Sequence, residues 1–204
     1  MSKLEMASTL KMINTLQDKE YMFYMTAFNI APTIEGRKPA CILTFSKKNR
    51  NLYDMWEKYK EEFLERFDIK AFHIKDTGDT HTVLFYKEAE LHNQIFKDEN
   101  INFLHKFGYR EYMKLEECLN LLKERYENFC PHEIGIFLGI PLEDVKAFMG
   151  CTKKPCLSCG YWKVYYNEEE ALQIFKSYDE AKIKVLEAVR QQIVLNSFNN
   201  NIKI

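Results

Sequence analysis

The chain has 204 residues, of which 46% are apolar and 29% charged. That balance excludes wholesale disorder, and the length allows one or two domains with a core that needs no staples. With 29 basic against 30 acidic side chains the net charge is −1, which argues against a protein built for polyanions, and the 7 Gly and 5 Pro are too few for long flexible linkers.

The first ten residues are interrupted by Lys3 and Glu5 and carry no apolar core of a signal peptide. No stretch approaches the ~18 uninterrupted apolar residues of a membrane helix. The expectation is a cytoplasmic protein that does not enter a membrane, with its 6 cysteines reduced or metal-bound rather than paired as disulfides. Residues 12–29 read as a helix stopped by Pro32, and the apolar run 40–45 as a buried strand. Leu52, Trp56, Tyr59, Phe63 and Phe67 line one face of an amphipathic helix. Residues 69–75 and 82–86 are strand-like around the turn cluster Asp76-Thr77-Gly78-Asp79, which predicts a hairpin. His73 and His81 lie on it and could face each other. A polar helix is expected over 88–97, and Leu115, Cys118, Leu119, Leu122, Tyr126 and Phe129 mark another before Pro131.

Residues 131–149 read as two short helices joined at Gly139-Ile140-Pro141, residues 161–166 as the last strand, and residues 168–197 as a long helix. The expected fold is α/β or α+β, a small four-stranded sheet covered by helices with a helical hairpin in the second half. Residues 1–180 are expected to form a single compact domain, followed by a C-terminal helix extension and polar tail over 181–204.

Three segments together resemble one family. They are Ala31-Pro32-Thr33 with Gly36 and Lys38; Pro131-His132-Glu133-Ile134-Gly135 through Phe137-Leu138-Gly139 to Pro141-Leu142-Glu143-Asp144-Val145; and Gly160 with Trp162-Lys163-Val164-Tyr165. The chain is similar over about residues 15–180 to the family catalogued as domain of unknown function 3793, found mostly in anaerobic bacteria. The resemblance implies a shared fold unit. It brings no activity and no catalytic residues, so site residues have to be read from the chain.

The specific segments supply the candidates. His132 and Glu133 follow Pro131 at a helix start, where a backbone rich in free N–H groups favours an anion. Strand alternation puts Trp162 and Val164 on one face, and Lys163 with Tyr165 on the other. Lys38, His132, Glu133, Lys163 and Tyr165, with Trp162 as an apolar wall, could line one cleft. The expected function is that of a binding or accessory protein for a small anionic ligand or a protein partner. An enzyme reading uses the same cleft, with His132 as acid or base and Lys163 as electrophilic stabiliser.

Two further readings use other residues. Cys151, Cys156 and Cys159 have spacing suited to zinc or to part of an iron–sulfur site, with Cys130 or His132 as a fourth ligand. Cys130-Pro131 also has the form of a haem-binding dipeptide, though a dipeptide carries little information. Residues 132–149 have the outline of a DNA-binding helix-turn-helix. Its second helix would carry Glu143 and Asp144 against one Lys146, and carboxylates facing phosphates argue against a nucleic-acid partner.

Overall fold

The computed structural model describes the chain apart from residues 49, 128, 152–153 and 203–204, and at side-chain level apart from residues 151 and 196–202. Helix α1 (Lys3–Asn14) starts at a capping box in which Ser2 and Glu5 satisfy each other's backbone N–H groups. One helix was expected over 12–29, but α1 ends and α2 (Asp18–Asn29) begins anew. The Thr15 hydroxyl turns back to the Met12 carbonyl at 2.8 Å, and Gln17 is extended. Such a local side-chain bond competes with helix continuation. Past α2, Pro32 opens rather than stops a turn, the short α3 (Ala31–Ile34), because proline is tolerated in a first turn.

Strands β1 (Ala40–Ser46), β2 (Lys70–Asp76) and β3 (Thr80–Tyr86) form an antiparallel sheet in the order β1-β3-β2. The predicted hairpin is β2–β3. Alternation along the strands sends Cys41, Phe45, Val83 and Phe85 to one face, against Phe23 and Ala27 of α2 and Trp56 and Phe63 of α4 (Leu52–Phe67). There the Trp56 indole stacks on Phe45 with centroids 4.7 Å apart. Ala40 and Leu84 serve the opposite face. They pack among Leu91 of α5 (Glu88–Ile95), Leu104 of α6 (Asp98–Leu104) and Leu119 of α7 (Leu115–Tyr126). The sheet is the middle of three layers. Each fully buried side chain of this kind stabilises the fold by ~1.5–3 kcal/mol.

The expected helical hairpin is α8 (Ile134–Phe137) and α9 (Leu142–Lys146). Gly139 sits at φ 75° between them, and a Cβ there would lie 2.6 Å from Pro39 Cδ, so the turn must be glycine to abut the entry of β1.

The fourth strand of the expected sheet is not in the sheet. Residues 158–164 make a separate two-stranded ribbon, β4 (Ser158–Cys159) with β5 (Lys163–Val164). The physical reason lies in Asp144 of α9. Its Oδ1 accepts the backbone N–H groups of Tyr165 at 2.8 Å and Tyr166 at 3.0 Å, donors that a longer strand would give to a neighbour. Helix α10 (Glu168–Ile202) closes the molecule. Phe175 and Tyr178 pack on Trp162 and Val164, and two to three turns later Leu186 and Val189 pack on Ile13 and Tyr24. The helix runs unbroken through residue 180.

Candidate functional site

The α8–α9 hairpin and the β4–β5 ribbon enclose a cleft of about 330 Å³. Its wall is apolar: Ile134 of α8 and Leu138 at the end of that helix, Val145 from α9, and Trp162 from the ribbon turn. Asp144 holds the two sides together. It is buried, and besides the two backbone donors it accepts the Trp162 indole N–H at Oδ2, 2.8 Å away. Three hydrogen bonds to one carboxylate fix the ribbon against α9. Gly160 permits the close seat on α10, since a Cβ there would fall 2.3 Å from the Phe175 ring.

The mouth carries the chemistry. His132, Lys163, Cys130 and Cys159 line the cleft and are exposed. Phe148, half exposed, meets the His132 ring edge-on at 5.3 Å and lies 5.8 Å from the Lys163 ammonium. No carboxylate pairs with Lys163 among the described residues. Beside the mouth, burial and a hydrogen bond to Cys130 push the Tyr126 phenol up to about 12.

His132, Trp162 and Lys163 therefore come together, as the two specific segments suggested. The other candidates lie elsewhere. Glu133 is buried, turned away from the cleft, and hydrogen-bonded to Arg125 of α7. Lys38 sits against α10, its ammonium 5.7 Å from the Tyr178 ring. Tyr165 reaches Asp144 only through its backbone. The free helix N-terminus expected at His132 is also used up, because Ile134, Gly135 and Ile136 donate to the carbonyls of Pro131, His132 and Glu133. An anion at the mouth would not find those three backbone donors free.

Asp144 was expected to face DNA phosphates. Its burial removes that particular ground, while the inward turn of Leu142, Asp144 and Val145 leaves α9 only a narrow face for a groove. Glu143 pairs with Lys146 at 2.9 Å. Of the cysteine triplet, Cys156 and Cys159 are free and exposed, and the side chain of Cys151 lies outside the described residues. Cys130, His132, Cys156 and Cys159 do not gather as a metal-binding group of three. Among the described residues, Glu57, His73 and His81 do. The spacing of the two histidines across the hairpin turn was the sequence signal for it. Glu57, in the second turn of α4, gave none.

Fold and site together define a small α+β protein with an apolar, cation-rimmed cleft between a helical hairpin and a β-ribbon. Residues 26–198 match the model of the family described as protein of unknown function (DUF3793), and the chain belongs to that family. The match begins at residue 26 rather than about 15 and runs past residue 180, where the resemblance was expected to end. Comparison with curated proteins and with solved structures brings no match.

Proposed function

We propose that the protein binds a small amphipathic anion, with an apolar body between Ile134, Val145 and Trp162 and a carboxylate or phosphate end at Lys163 and His132. One observation carries this reading: an apolar cleft of about 330 Å³ has a lysine at its mouth with no carboxylate partner among the described residues. That volume suits a small ligand, and a few polar groups at one end of an apolar cavity fix its orientation. An acid–base role for His132 has less support. Glu133 faces Arg125 instead, and among the described residues no carboxylate pairs with the imidazole to set its tautomer.

A thermal-shift and calorimetric screen tests the reading with medium-chain fatty acids and aromatic carboxylates, each beside its neutral amide. The acids should raise the melting temperature and the amides should not. Lys163→Ala should weaken acid binding about tenfold, equivalent to ~1.4 kcal/mol, while leaving the unliganded stability unchanged. Equal protection by acid and amide, or equal binding by Lys163→Ala, would overturn it. A second reading rests on Phe129, 64% exposed, and Phe148, 50% exposed, beside the same cleft. A partner protein seated there would bury both rings, and would compete with the acids.

A further inference from the structure

On the other side of the molecule the sheet and α4 bring together groups that the cleft does not use. His81 is buried to 4% exposure, yet neither of its ring nitrogens makes a hydrogen bond. Its Nε2 lies 3.2 Å from Glu57 Oε1, and its Nδ1 lies 3.5 Å from Asp76 Oδ2. Buried polar atoms normally find partners, and one left unmade costs ~1–3 kcal/mol. The His73 ring stands 5.2 Å from that of His81. One donor atom from each of Glu57, His73 and His81 falls within 4.8 Å of the others.

The backbone is shaped to make this cluster. In β2–β3, Asp76 is opposite His81 and His73 is opposite Val83, with a register shift between His73 and Lys75. Residues 73 and 76 differ by an odd number, so a regular strand would send them to opposite faces. The shift puts both on the face that His81 shares with Val83. Bulges re-aim side chains in this way beside functional sites.

We propose that Glu57, His73 and His81 bind a divalent transition-metal ion of the zinc type, with Asp76 orienting His81. Two imidazoles and one carboxylate form a ligand set that zinc accepts while keeping a position open for water. Tetrahedral bonds of ~2.0–2.1 Å place ligand atoms about 3.3 Å apart, close to the 3.2 Å between His81 Nε2 and Glu57 Oε1. The carboxylate on the far nitrogen is the usual outer partner of a metal-bound histidine. Asp76 is itself held, by the Gly78 N–H at 2.7 Å and the Tyr53 hydroxyl at 3.2 Å, and the Tyr53 ring stacks on His81. Burial, then the charge of Lys60 and the neighbouring His81, keep His73 below the usual histidine range, which suits a neutral ligand.

Two contacts compete with the ion. The Lys60 ammonium sits 3.0 Å from Glu57 Oε2, an exposed pair that is cheap to displace. The Trp56 indole N–H donates to His73 Nε2 over a long 3.4 Å.

The exposed thiols of Cys130, Cys156 and Cys159 could bind zinc themselves, so the test uses the full chain with these three and Cys151 replaced by serine. Calorimetry with Zn²⁺ should show one site per chain, and Co²⁺ should give visible d–d absorption without a thiolate charge-transfer band. Glu57→Gln and His73→Gln should each weaken Zn²⁺ binding tenfold or more, and Lys60→Ala should strengthen it. Glu57 and His73 are more exposed than His81, so circular dichroism should show these two variants folded even if His81→Gln unfolds. Absence of stoichiometric Zn²⁺ binding to the folded four-serine protein, in which only the buried Cys41 and Cys118 remain, would overturn the proposal, as would equal binding by the Glu57→Gln and His73→Gln variants.

Discussion

Asp144 shows how much one side chain decides. A carboxylate that reads as a surface charge on a recognition helix instead accepts three hydrogen bonds from the opposite wall of the cleft. Asp144→Ala would leave an indole and two backbone N–H groups without an acceptor in partly dry surroundings. Hydrogen bonds to charged groups contribute ~1.5–3 kcal/mol each and are not additive, so a loss of about 3 kcal/mol or more is expected in urea unfolding. Trp162 emission should shift to the red as the ribbon loosens, while buried Trp56 keeps its own. Asp144→Asn retains one carbonyl acceptor and should cost less. Equal losses for the two variants would mean that packing, not hydrogen bonding, holds the ribbon.

Between elements, the tie that fixes the cleft's floor is Arg125 of α7 with Glu133 just before α8. Glu133 is 1% exposed, so removing its partner leaves a carboxylate in the interior. Arg125→Ala should cost about 3 kcal/mol, and Arg125→Met with Glu133→Leu should recover stability to within ~1 kcal/mol of the parent. Denaturant midpoints of the three proteins check this; a double variant as weak as the single one would refute it. At this scale the sequence was most readable where one periodicity acts alone. The face of α4, the β2–β3 hairpin and the α8–α9 turn follow from apolar spacing and turn residues. The break after Thr15 and the shortened β5 do not, because each depends on a hydrogen bond to a residue that alternation cannot weigh. The same holds for the sites. His132, Trp162 and Lys163 were legible as one cleft from two short segments. Lys38 and Glu133 found other partners across the fold. His73 and His81 were visible on the hairpin, but the register shift that turns them to one side with Asp76 was not.

Across the whole molecule, α10 is the member that joins everything. Its first turns back the ribbon of the cleft through Phe175, and its later turns cover α1 and α2 through Leu186 and Val189. Leu186 is fully buried, and Leu186→Ala should cost ~2–5 kcal/mol by the cavity it leaves. The loss should be local in hydrogen exchange: amides of α1 and α2 should lose protection first, and those of β3 should stay protected. Uniform loss over the chain would show instead that the layers unfold as one.

That reach of α10 also orders events in time. Met1 pairs with Glu187 and Glu5 with Arg190, so the contacts that cover α1 span nearly the greatest separation the chain offers. The β2–β3 hairpin closes over a few residues and is free to form early, whereas distant pairings wait for loop closure. During synthesis α1 and α2 emerge well before α10, yet the apolar side of Ile13 and Tyr24 lacks this cover until residues 186–189 have been made. This apolar side thus stays uncovered while the residues between α2 and residue 186 are made. For the length of one synthesis cycle it is the surface most open to aggregation and to chaperones.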